Sequence, residues 1–296
     1  MPVPNAMEYN TYDDGKSFVY NVDDINNFQI TIEFPMIADW EDDKTRSRFQ
    51  DRLHDDTIQL LRTSEFYSES RLEQSKFADH FAIEYSDDVN DFKISCYQNR
   101  IVIQKRGIRM ESFHRWYFSA APSFRVLVHS LIELMEQVLE RKLAITDVHY
   151  YFGFILYDFR KDGRLFKNYE VLKRLVTKVP SDTGMIQDVD EGNLEISRAD
   201  YKVSCWDVSA DGDRRLISYS VEAPANREYS GLWFTFAYGS GTYTDPKTGK
   251  REWTQPDRLL DEHEKVYEFI WKRGVKGFIK SLLDGLTFKS TTTYIP

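Results

Sequence analysis

Phe28-Gln29-Ile30-Thr31-Ile32-Glu33-Phe34 alternates apolar with polar residues, the period of a strand with one face buried and the other wet. Pro35 ends it. Over 43–62 the period changes to that of a helix, with Phe49, Leu53, Ile58 and Leu61 on one side and Arg46, Arg48, Asp51, Arg52 and Asp55 on the other. Residues 63–76 read as a polar linker. Strands follow at 81–86, 92–97 and 101–105, with turn chemistry from Asp87-Asp88 and Gln98-Asn99. Arg115-Trp116-Tyr117-Phe118 is a further strand. A strong helix begins after Pro122, with Ser123 as its cap. Phe124, Leu127, Val128, Leu131, Leu134, Met135, Val138 and Leu139 recur at three- and four-residue steps through Arg141, a stripe wide enough to lie on a sheet. Residues 148–159 form a near-continuous aromatic and aliphatic run, whose length suits a central strand buried on both faces.

From there the order restarts. A helix is expected at 169–178, a polar loop at 181–192, and strands at 194–206 and 214–222 around the turn 210–213. Gly231-Leu232-Trp233-Phe234-Thr235-Phe236-Ala237 resembles Arg115-Trp116-Tyr117-Phe118-Ser119-Ala120, tryptophan under tryptophan. A long helix closes the chain at 257–283, with Asp257 as its N-cap, acidic residues in its first half and basic ones in its second, as the helix dipole favours.

One stretch occurs twice. Asp91-Phe92-Lys93-Ile94-Ser95-Cys96-Tyr97 returns as Asp200-Tyr201-Lys202-Val203-Ser204-Cys205-Trp206, and both cysteines of the chain lie inside it. Alternation puts Ile94 and Cys96, like Val203 and Cys205, on one side of a strand, so two buried free thiols are expected. The expected fold is α+β, built from two similar halves by internal duplication, 1–143 and 144–296. Each half is a mostly antiparallel sheet with a long packing helix. Whether the halves share one sheet stays open.

Composition sharpens this picture in two places. Aromatics are 15% of the 296 residues, which favours strands and leaves ample material for a core. The net charge of −9 gives no general attraction to nucleic acid or an anionic membrane. No apolar run approaches the roughly 20 residues of a spanning helix, and the N-terminus has no targeting pattern, so a cytoplasmic protein is expected.

Two basic clusters are candidate binding sites. Lys105, Arg106 and Arg109 are expected in a loop at a strand end. Tyr243, Arg251 and Trp253 belong to a surface loop, 239–256, which is the largest difference between the halves and is expected to be mobile. A solvated loop is the plainer account of each. A site at the junction of the halves would draw on His149, Asp158, Arg160 and His263. The histidines lack the spacing of a zinc site, and no nucleophile elbow, phosphate loop or paired-acid motif stands out. No metal and no cofactor is expected.

The closing segment Leu260-Asp261-Glu262-His263-Glu264-Lys265-Val266-Tyr267-Glu268-Phe269-Ile270, and the succession of a long helix and an aromatic strand over 124–159, resemble a sporadically distributed bacterial family of two-part α+β proteins of uncharacterised function. Members of that family usually carry an Arg-x-Gly-Leu-Arg-Tyr segment in that strand, where this chain has Val148-His149-Tyr150-Tyr151-Phe152-Gly153-Phe154. The resemblance implies the fold and transfers no activity. The function expected is that of a non-enzymatic binding or interaction protein, a bacterial accessory or defence component, with a protein partner or self-association ahead of a small ligand, and nucleic acid disfavoured. The alternatives are an enzyme with its site at the junction, or nucleotide or nucleic-acid recognition by the basic loops.

Overall fold

The computed structural model describes residues 11–13, 19–21, 24–62, 73–78, 82–87, 92–109, 124–156, 159–161, 164–165, 198–208, 213–224, 232–253, 255–269 and 287–288. The expected strand at 115–118, the helix at 169–178, the loop at 181–192 and the end of the closing helix lie outside these residues.

The chain opens with two short strands, β1 (Thr11–Asp13) and β2 (Val19–Asn21), and then β3 (Asp24–Glu33). A 3-10 turn at Ala38–Glu41 leads into helix α1 (Asp43–Arg62). A meander follows: β4 (Glu73–Ala78), β5 (Ala82–Asp87), β6 (Phe92–Tyr97) and β7 (Arg100–Arg109). Helix α2 (Phe124–Leu139) leads to β8 (Asp147–Leu156), and two short strands come next, β9 (Phe159–Lys161) and β10 (Arg164–Leu165). A second meander runs through β11 (Arg198–Val208), β12 (Arg214–Pro224) and β13 (Leu232–Gly239). The hairpin β14 (Thr242–Thr244) and β15 (Arg251–Trp253) precedes helices α3 (Pro256–Asp261) and α4 (His263–Glu268), and β16 (Thr287–Phe288) is the last element.

The fold is mixed α+β on one large antiparallel sheet, in the order β11-β12-β13-β8-β3-β7-β6-β5-β4. The sheet is continuous across residues 143 and 144. Its middle is a seam, where the antiparallel pairs run from Ile25↔Phe154 to Glu33↔Asp147. Strands from before the seam lie on one side of it and those from after on the other. The short strands form a second sheet, β1-β2-β16-β9-β10.

Alternation sends one face of the large sheet into the core. Phe28, Ile30 and Ile32 of β3 are buried there beside Val148, Tyr150 and Phe152 of β8, Ile101 and Ile103 of β7, and Phe234 and Phe236 of β13. Helix α2 lays its stripe on this face. Phe124, Leu127, Val128, Leu131, Ile132, Leu134, Met135 and Val138 are all buried, and the Phe124 ring meets Phe28 edge-on at 4.9 Å. Each large apolar side chain buried in this way contributes roughly 1.5–3 kcal/mol. Helix α1 packs beside α2, with Phe49 5.4 Å from Trp40 of the 3-10 turn. Phe269, just past α4, covers Tyr238 and Tyr219 farther along the same face.

Several expectations change. Residues 73–78 pair with β5 as a strand, although Glu73-Gln74-Ser75-Lys76 shows no apolar alternation; an adjacent edge in need of a partner overrides weak local preference. The closing helix breaks at Glu262, whose backbone takes φ −95° and ψ 22° between α3 and α4. Its carboxylate is held by Arg215 and Arg258, each at 3.3 Å, and by Lys265 at 3.0 Å. Pro256 is the first helical residue and Gln255 the cap, so Asp257 lies inside the first turn. Proline suits that position because its missing N–H would have had no helical acceptor.

The two copies of the repeat do not take equivalent places. The first is β6, third from the seam with a neighbour on each side. The second lies in β11, fourth from the seam and at the edge. Cys96 is buried, whereas Cys205 is exposed. The expectation of two buried thiols therefore fails for Cys205, because β11 has a strand on only one of its sides among the described residues.

Candidate functional site: the seam and the open edge

At one end of the seam the chain gathers a histidine, a carboxylate and a serine. Asp147 and His149 stand two apart in β8, so both project from the sheet face opposite the core. His149 Nε2 lies 3.2 Å from Asp147 Oδ1. Ser240 arrives from the end of β13. Its hydroxyl donates to the same carboxylate oxygen and accepts the Val148 N–H at 2.7 Å, while its own N–H donates to the Val148 carbonyl at 2.8 Å. Gly239 makes this possible. A Cβ there would overlap the His149 imidazole and sit 2.8 Å from the Val148 carbonyl oxygen.

These contacts fix the charges. The hydrogen bond to Asp147 raises the His149 pKa above its ordinary 6.5; partial burial works against the charged ring, and the negative charges of Asp147 and Glu33 add to the rise. Burial works against ionised Asp147, but the hydrogen bonds from His149 and Ser240, with the charge of His149 and the Val148 N–H, hold its carboxyl below the ordinary 3.8. The order of contacts decides the chemistry. The carboxylate stands between serine and imidazole, so His149 is not placed to take the Ser240 proton, and Ser240 is fully buried. The arrangement locks two strand ends together and holds a half-exposed histidine beside a carboxylate. It lacks the geometry of an activated nucleophile, in which the base contacts the hydroxyl itself.

Of the other junction candidates, Asp158 lies outside the described residues, Arg160 is in β9 of the small sheet, paired with Thr287 and Leu165, and His263 opens α4. Of the described ones, only His149 is at the seam. Its partners Asp147 and Ser240 were missed. The spacing of Asp147 and His149 was a readable signal, since residues two apart in a strand share a face; Ser240 needed the β8–β13 pairing.

The basic cluster at 105–109 is not a loop. All of it belongs to β7, opposite β3 from Phe28↔Lys105 to Asp24↔Arg109. Alternation splits it, with Lys105 buried on the core side and Arg106 exposed on the other. The loop 239–256 likewise contains strands among its described residues. Thr242↔Trp253, Tyr243↔Glu252 and Thr244↔Arg251 pair as the β14–β15 hairpin. Asp245 organises its tip, accepting the Lys247 N–H at 2.8 Å and the Thr248 hydroxyl at 2.8 Å. Gly249 supplies the left-handed residue with φ +66°. Lys247, Lys250 and Arg251 are exposed there. Near the base of the hairpin, Gly241 sits against Trp206 of β11, whose ring would lie 3.1 Å from a Cβ at that position.

The sheet's two edges differ. On one side β4 has six residues and a register shift between Ser75 and Ala78. On the other, β11 pairs with β12 without a break from Arg198↔Pro224 to Val208↔Arg214. Lys202, Ser204, Cys205 and Val208 are exposed, so side chains on both faces of β11 meet solvent. Nothing among the described residues pairs with its outer edge. A shallow depression of about 460 Å³ at the C-terminal end of α2 is lined by Glu133, Glu136, Gln137, Arg141 and Lys142. Among the described residues no three His, Cys, Asp or Glu gather as a metal site would require, and no helix is long and apolar enough to cross a membrane. Comparison with protein-family models and with curated protein sequences finds no match for the chain.

Proposed function

We propose that this chain is a non-enzymatic binding protein that takes an extended protein segment as an additional strand along the outer edge of β11. One observation carries the reading: β11 runs eleven residues without proline, glycine or bulge and exposes side chains on both faces. Natural sheets blunt many such edges with short strands or register irregularities, as β4 is blunted here; β11 has neither. An edge left long and regular is a template for strand addition, in which main-chain hydrogen bonds give affinity and alternate side chains give specificity.

Hydrogen exchange in dilute protein tests this. Alternate amides between 200 and 207 should exchange far faster than the amides bonded to β12. Uniform protection along β11 would mean the chain already covers its own edge, and the reading would fall.

The same reading takes the sheet as two related halves joined at the seam. In its support, β3, β7, β6 and β5 run outward on one side as β8, β13, β12 and β11 do on the other. In each half the first strand of the large sheet stands at the seam and the last strand of the meander lies beside it.

A second reading, an enzyme with its site at the junction, has one observation in its favour: the His149–Asp147 pair stands at the seam itself. A hydrolytic activity abolished by His149→Gln in a variant that remains folded would support that reading over the first.

A further inference from the structure

We infer that the strand received by β11 is β11 of a second copy of this chain, paired antiparallel about a twofold axis at Val203. The inference rests on the open-edge reading above and adds the partner and the register. In an antiparallel pair, residues directly opposite project from the same face. A twofold axis normal to the sheet must therefore lie between the strands, midway between one residue and its own copy, and the possible registers differ in steps. With the axis at Val203 all eleven residues of β11 find a partner: Arg198 opposite the partner's Val208, Asp200 opposite the partner's Trp206, Lys202 opposite the partner's Ser204. Moving the axis to Lys202 sets lysine against lysine and leaves residues at one end unpaired. Moving it to Ser204 leaves Arg198 and Ala199 unpaired.

No like charges stand opposite one another in the Val203 register. Both edges are satisfied at once and no new edge is created, which is the closure an isologous contact provides. The two large sheets then become one.

Lys202 and Ser204, both exposed, give a test of register that leaves the fold alone. Light scattering and sedimentation over a range of protein concentrations should show a reversible dimer. Ser204→Glu places two carboxylates opposite two Lys202 side chains and should tighten it, whereas Ser204→Lys should loosen it. Each change is expected to move the dimer dissociation constant by about twofold to thirtyfold. As a second measurement, Val203→Cys in a Cys205→Ser background should give a disulfide-linked dimer under mild oxidation, because directly opposite residues are within bonding distance. A dimer indifferent to both Ser204 charges and unlinked by Val203→Cys would overturn the register. A chain that stays monomeric at every concentration would overturn the second copy. If its outer amides still exchange fast, the edge remains open to a different protein; if they are protected, the open-edge reading fails as well.

Discussion

Strands β6 and β11 carry nearly the same seven residues and live in opposite surroundings. In β6, Ile94 and Cys96 are fully buried and Ser95 is 3% exposed, with β5 and β7 on either side. In β11, Ser204 and Cys205 face solvent. The local pattern specifies an extended strand in both, and both obey it. Position in the sheet order then decides whether the same cysteine is a core atom or a surface thiol. Similarity of sequence within a chain marks similarity of element, and the pairing partners, distant along the chain, set the chemistry.

The widest gap between the two strands should be in thiol reactivity. Cys205 should alkylate as an open thiol, while Cys96 waits for unfolding. Burial also pushes the Cys96 thiol pKa far up, and a fold stable by at least about 5 kcal/mol keeps labelling more than roughly a thousandfold slower. Peptide mass spectrometry after a timed pulse of iodoacetamide measures both rates, and equal rates would erase the contrast.

Truncation comes next. Ile94→Ala in β6 should cost about 2–5 kcal/mol in denaturant unfolding, and Ser204→Ala in β11 within about 0.5 kcal/mol of nothing. At the seam, where polar groups are buried as apolar ones are in β6, Ser240→Ala removes the acceptor of the Val148 N–H and should cost about 1–3 kcal/mol. A cost near zero there would mean the serine is not part of the lock.

The smallest effect is one of pH. The raised His149 pKa stabilises the folded state fully below 6.5, and that contribution is lost as pH rises through the raised value. The lowered Asp147 pKa stabilises above 3.8 and is lost as pH falls through the lowered value. His149 is more than a third exposed, so solvent screens the interaction. The difference in melting temperature between wild type and His149→Gln should therefore shrink steadily as pH rises above 6.5. A difference independent of pH would uncouple the imidazole from the carboxylate.

Much of the local structure was legible because its causes are local. Alternation marked 92–97, three-and-four spacing marked α2, and Gln98-Asn99 marked the β6–β7 turn. Three things were not. The placement of β11 at the edge depends on which strands pair across the whole chain. The break at Glu262 depends on Arg215, which reaches it from the start of β12. The splitting of Lys105 from Arg106 was available from alternation, but a run of basic residues reads as a loop unless the strand is known to continue. The seam cluster was half legible, since Asp147 and His149 share a face by spacing while Ser240 is brought in by tertiary pairing alone.

The seam also has a consequence in time. During synthesis β3 emerges before either of its neighbours. It pairs with β7 and with β8, and β8 is complete only when Leu156 has been added. At typical elongation speeds the ribosome needs roughly 6–25 s to travel from Glu33 to Leu156. For that interval Phe28, Ile30 and Ile32 belong to a strand that is missing at least one of its two partners. Within the large sheet, the central element is thus the strand that waits longest for its second partner while the protein is being made.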